Sequence, residues 1–249
     1  MIPLFMHIPK AAGSTLTHWI YASFRSDAPQ KDKFFVEGGF YYYPSGYVNC
    51  TPGQKPAQIQ RNFRDPNLRA VVGHFRYGIH RHIPQPSAYV TVLRDPIERL
   101  VSLYYFHRLV QDKFGSLDGV ILPEDMNLRD FAKTPLYPEA DNGQMRRLSG
   151  FAGEIGGCTR DHLELAKQQL ADFAVVGFSD QIPKVIDAIS RVFKVANDTS
   201  LYAVNENPQS SSMSISPGDI EQIAASNCLD LELYEFARTK MLRTKQSSS

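Results

Sequence analysis

Ile2-Pro3-Leu4-Phe5-Met6-His7-Ile8-Pro9-Lys10-Ala11-Ala12-Gly13-Ser14-Thr15 passes from an apolar run through a turn of small residues into a helical pattern. The run from Ile2 to His7 predicts a buried parallel strand. The helical stretch extends from Ser14 to Phe24. Small residues in the turn let the backbone approach an anion closely. A helix N-terminus adds unpaired N–H groups and the positive end of its dipole. Lys10 contributes a point charge, and Ser14 and Thr15 contribute hydroxyl donors. The order is not that of a Walker A loop, where Lys follows the last Gly and precedes Ser or Thr. Here Lys10 lies three residues before Gly13. The alternative is an ordinary strand-to-helix turn with an exposed lysine.

Three more apolar runs have the same character: Ala70 to Gly73, Ala88 to Leu93, and Phe173 to Phe178. Helical stretches separate them. Pro96 to Val110 follows the third strand, with Asp95 as a plausible N-cap before Pro96 at the first helical position. Between Asp180 and Lys194, the residues Ile182, Val185, Ile186, Ile189, Val192 and Phe193 fall at helical spacing. Pro217 to Leu242 reads as two helices broken near Asn227. Strand and helix alternate, which predicts an α/β fold with a mainly parallel sheet. Ligands of such sheets sit at the carboxyl ends of the strands. Residues 25–68 are rich in Tyr, Pro, Gly and Gln and read as an irregular insertion. It is either a lid or acceptor-contacting loop, or a packed surface excursion. The last five residues, 245–249, read as a frayed tail.

A chain of 249 residues can bury one substantial core, and one domain over 1–249 is the expectation. A net charge of +1 argues against bulk nucleic-acid binding but leaves room for a local basic cleft. No run of about 18 apolar residues exists, so no membrane span is expected. The apolar N-terminus is too short for a signal peptide and lacks a basic start. Cys50, Cys158 and Cys228 are scattered, with neither metal-ligand spacing nor an obvious disulfide framework. That pattern fits a reducing compartment, so a cytoplasmic location is expected.

A second motif is Val92-Leu93-Arg94-Asp95-Pro96-Ile97-Glu98-Arg99-Leu100-Val101-Ser102. Arg94 ends a strand, and Ser102 follows about two helical turns later; both could reach one phosphate. Taken singly, Arg94-Asp95 reads equally as a local ion pair at a helix start. A third candidate is His74, which closes the second long strand in Val71-Val72-Gly73-His74-Phe75-Arg76-Tyr77. A lone histidine is more often structural than catalytic. His80, His82 and His107 read as surface residues.

Together the first two motifs resemble the two cofactor-binding motifs of sulfotransferases that use 3′-phosphoadenosine 5′-phosphosulfate (PAPS). The resemblance is closest to the branch containing heparan sulfate 2-O- and 6-O-sulfotransferases. Asp141-Asn142-Gly143-Gln144-Met145-Arg146-Arg147-Leu148 is similar to that family's Asn-x-x-Gln-x-Arg-x-Leu segment. Phe173 to Phe178 is similar to its Phe-x-Val-Val-Gly run, and Asp230 to Ala237 to its closing Asp-x-x-Leu-Tyr-x-Phe-Ala helix. The resemblance implies a P-loop-like three-layer fold, with a central, mainly parallel sheet flanked by helices. It implies that Lys10, Ala12, Gly13, Ser14 and Thr15 bind the 5′-phosphosulfate, and Arg94 and Ser102 the 3′-phosphate. It makes His74 the general base and Lys10 a second catalytic group, stabilising charge on the leaving phosphate. Some relatives carry another histidine two residues earlier, where this chain has Val72. No metal is implied. The acceptor is a hydroxyl, expected on a sugar, with Arg76 and Tyr77 as candidate contacts. A P-loop nucleotide kinase and a non-catalytic anion-binding module are the competing expectations.

Overall fold

The computed structural model of the chain describes residues 1–24, 36–37, 40–43, 63–64, 66, 68–117, 119–133, 135–197 and 215–246. The chain divides into two compact units, Met1–Val92 with Asp172–Asn205, and Leu93–Ala171 with Glu206–Ser249. Each is assembled from two separated stretches, so neither is a piece that length alone would mark off.

One sheet holds β1 (Ile2–Met6), β2 (Val36–Glu37), β3 (Phe40–Tyr43), β4 (Ala70–Gly73), β5 (Ser87–Leu93) and β6 (Val175–Phe178). Their order is β2-β3-β4-β1-β5-β6. β3, β4, β1 and β5 are mutually parallel, with Met6 opposite both Gly73 and Thr91. β2 turns antiparallel to β3. All five residues of β1 are buried, which is why it reads as an unbroken apolar run. One side of the core joins Phe5, Val72, Val90, Val92 and Val175 to Leu16, Trp19, Ile20 and Phe24 of α1 (Gly13–Phe24). The same core takes Val185, Ile186 and Ile189 from α6 (Ile182–Phe193). A Cβ at Gly177 would lie 2.1 Å from Val185 Cγ2, so the approach of β6 to α6 requires glycine. The result is an α/β fold with a mainly parallel sheet flanked by helices. Within the stretch 25–68, β2 and β3 are short strands; most of the rest lies outside the described residues.

The second unit is helical: α2 (Pro96–Phe114), α3 (Leu128–Lys133), α4 (Gly143–Ser149), α5 (Arg160–Ala171), α7 (Pro217–Ser226) and α8 (Cys228–Gln246). Asp95 caps α2 as expected, its carboxylate accepting from the N–H groups of Ile97 and Glu98 at 3.0 Å each. Asn227 separates α7 from α8, where the sequence predicts a break. Leu100, Leu103, Phe131, Ala132, Tyr137 and Ile223 form the apolar core. His107 joins them rather than the surface: it is fully buried, its ring 6.0 Å from that of Tyr137. Its spacing of seven and four from Leu100 and Leu103 puts it on the inward stripe of α2. No described helix is long and apolar enough to cross a membrane.

Candidate active site

β1 ends where the candidate anion loop begins. The His7 N–H still donates to Gly73 O at 2.8 Å, so strand pairing continues one residue past Met6. Ile8 and Ala11 are buried and anchor the loop, and the Ala11 N–H donates to Ile8 O at 3.2 Å. Between and after them the backbone turns left-handed twice, at Lys10 with φ 66° and Ala12 with φ 59°. Neither is glycine, so each conformation costs on the order of 1–2 kcal/mol. Such turns aim main-chain N–H groups into a concavity that suits an anion. Helix α1 starts immediately afterwards, at Gly13. Lys10, Ala12 and Thr15 are partly exposed here. The side chain of Ser14 lies outside the described residues.

His74 stands beside this loop. It follows β4, whose last residue, Gly73, lies opposite Met6 of β1. Its Nδ1 is 2.8 Å from the carbonyl oxygen of His7. A carbonyl only accepts, so Nδ1 carries a proton, and in the neutral form of the ring the lone pair lies on Nε2. The imidazole of His7 lies over that of His74, centroids 4.3 Å apart and planes tilted by 33°. Phe5 also stacks on His7, at 5.9 Å. One residue therefore fixes both the tautomer of His74, by its carbonyl, and the ring's position, by its side chain.

Arg94 directly follows β5. Its guanidinium is partly exposed and pairs with Glu98, Nε to Oε2 at 3.3 Å, while Asp95 is occupied as the helix cap. The Arg94 main chain is held by a side chain: its N–H donates to Gln144 Oε1 at 3.0 Å, and its carbonyl accepts from Gln144 Nε2 at 2.9 Å. Ser102, on α2, is buried. In the sequence Gln144 stands out only as part of the family-like segment Asp141 to Leu148, with no task attached to it.

The remaining candidates are less tied to this chemistry. The ring of Tyr77 stacks on Tyr89 at 4.9 Å, within an aromatic group that includes Phe173 and His80. Burial pushes the Tyr89 hydroxyl up to about 12, and it accepts from the N–H of Gly78 at 2.9 Å. Arg76 precedes this group and is partly exposed. His80 is half-buried against Tyr89, and burial lowers its pKa.

The sequence profile of the sulfotransferase family matches residues 4–237. Heparan-sulfate 6-O-sulfotransferase 1 of Gallus gallus is 23% identical over 292 aligned positions, which cover 94% of this chain. The chain spans 64% of the length of that relative. The profile runs from β1 through the anion loop, His74 and Arg94 to α8, and the chain belongs to the sulfotransferase family.

Proposed function

We propose that the chain transfers a sulfuryl group from PAPS to a hydroxyl, most naturally that of a carbohydrate or glycoside. The observation that carries this reading is the hydrogen bond between His74 Nδ1 and the His7 carbonyl. It leaves Nε2 as the accepting nitrogen next to a loop built for an anion. Bound there, PAPS supplies the sulfuryl group and a 5′-phosphate as leaving group. The paired left-handed residues, the start of α1 and the positive charge of Lys10 all fit that dianionic end. Lys10 Nζ and the loop N–H groups hold the charge that grows on the 5′-phosphate. His74 Nε2 takes the proton of the acceptor hydroxyl. The Arg94 guanidinium and the Ser102 hydroxyl read the 3′-phosphate, which distinguishes this cofactor from AMP-like nucleotides. The carbohydrate assignment is supported by the relative named for 6-O-sulfation of heparan sulfate.

The test is transfer of labelled sulfate from PAPS to a panel of acceptors: glycosaminoglycan oligosaccharides, simple glycosides, phenols and aliphatic alcohols. Labelled product among the saccharides is expected. Transfer only to phenols or alcohols would overturn the carbohydrate assignment. No transfer to any acceptor, with no binding of 3′,5′-adenosine bisphosphate, would overturn the reading itself.

A further inference from the structure

We infer that Gln144 is a positioning residue for the 3′-phosphate anchor, holding Arg94 through its main chain. The inference rests on the reading of Arg94 as that anchor. The start of α2 offers an incoming phosphate no main-chain help. Pro96 has no N–H, the N–H groups of Ile97 and Glu98 are taken by the Asp95 carboxylate, and that of Arg99 by the Asp95 carbonyl. A phosphate there depends on side chains, and the reach of the Arg94 guanidinium is set by where its backbone stands.

Gln144 sets that backbone. Its amide donates to the Arg94 carbonyl and accepts from the Arg94 N–H, at 2.9 and 3.0 Å. This is the pattern of a neighbouring strand, supplied by one side chain just past the end of β5. Gln144 is itself 1% exposed and rigidly held. Its N–H donates to Asp230 Oδ2 at 3.1 Å, and that of Met145 to Asp230 Oδ1 at 2.7 Å. Asp230 thereby caps the N-terminus of α4, with Arg99 facing it at 3.5 Å. The cap is reciprocal. Asn142, just before α4, accepts through Oδ1 from the N–H groups of Leu229 and Asp230 at 3.1 Å each, in the first turn of α8. Two helix starts thus fix each other, and the amide that emerges from them fixes Arg94. A displacement on the order of 1 Å is enough to spoil a charge-assisted contact of this kind.

The test is calorimetric affinity for 3′,5′-adenosine bisphosphate and for AMP, expressed as their ratio. The wild type, Arg94→Ala, Gln144→Met, Gln144→Asn and the Arg94→Ala/Gln144→Met double variant are compared. The ratio cancels any general loss of folded protein. Wild type is expected to favour the bisphosphate, and Arg94→Ala to remove that preference. Gln144→Met should lower the ratio by about tenfold with AMP affinity unchanged, as losing a buried pair of hydrogen bonds implies. Gln144→Asn keeps an amide but is one methylene short of both contacts, so it should lower the ratio too. It also provides the test if the methionine variant does not fold. In the double variant the glutamine change should add nothing. An unchanged ratio in the Gln144 variants, with Arg94→Ala still losing the preference, would overturn the positioning role alone. A wild-type ratio of one would overturn the Arg94 assignment and the inference with it.

Discussion

A neutral imidazole has one nitrogen that donates and one that accepts, and the His7 carbonyl decides which is which in His74. The consequence is an imidazole with a defined accepting atom. Replacing His74 by Ala should lower turnover by roughly 10²-fold or more, the usual contribution of a general base. Affinity for 3′,5′-adenosine bisphosphate should stay near that of the wild type. Near-normal turnover in steady-state assays of His74→Ala would mean that another group takes the proton. Lys10 presents a different problem, because it combines a charge with a left-handed backbone at φ 66°. Lys10→Ala removes the charge and keeps the strained conformation, whereas Lys10→Gly removes both. Glycine should therefore give the more stable variant, by about 1 kcal/mol in chemical denaturation. The two should lose turnover at saturating PAPS to the same extent, beyond any change in dissociation constant, if the charge acts in the transition state. Intact saturated turnover in both would reduce Lys10 to a docking residue. Lys10→Arg should restore only part, since a planar guanidinium does not place one compact charge at the same point.

Helix starts do three kinds of work in this chain. α1 begins straight after a loop whose residues turn left-handed and fit an anion. α2 is closed by Asp95 and Pro96, which leaves only side chains to meet any anion there. α4 and α8 close each other through Asn142 and Asp230. The first two were legible in the sequence because cap and helix are neighbours in the chain: a small-residue turn before Ser14, and Asp-Pro before an apolar pattern. The third was not, because the Asn142 side chain caps an N–H group 87 residues away. Nothing local in Asp141-Asn142-Gly143 announces that partner. Asn142→Ala should leave two buried N–H groups of α8 without an acceptor. The expected cost is about 2 kcal/mol or more, seen as a lower urea midpoint at unchanged slope. A loss under about 0.5 kcal/mol would show that those groups find other partners.

For the molecule as a whole, β1, β4 and β5 were readable because burial on both faces leaves little polar alternation to confuse them. β1, β4 and β6 lie within predicted runs, and β5 begins one residue before its own. β2 and β3 were missed, since Phe40-Tyr41-Tyr42-Tyr43 sits among glycines and prolines that read as loop. The helices α3 and α4 escaped for another reason: with 6 and 7 residues they are too short to show a period. Of the candidate site, the charged and small residues stand out in the sequence itself. The holding contacts were not, because a carbonyl that orients His74 and an amide that pins Arg94 have no signature along the chain. Ligand-linked stability tests the whole assembly at once. Anything that binds only the folded chain stabilises it by RT ln(1 + [L]/Kd), about 2.7 kcal/mol at a hundredfold excess over Kd. For a protein of this size, that corresponds to a rise in melting temperature of about 5–10 °C. 3′,5′-Adenosine bisphosphate should produce such a shift. AMP at the same concentration should give a clearly smaller one, because Arg94 and Ser102 have no phosphate to hold. ATP with Mg²⁺ should not exceed AMP, since the loop carries its lysine before the glycine rather than in the Gly-Lys-Ser/Thr order that serves a triphosphate. Equal shifts from the bisphosphate and AMP would remove the 3′-phosphate from the argument. A larger shift from ATP with Mg²⁺ would turn the anion loop towards nucleotide triphosphate chemistry instead.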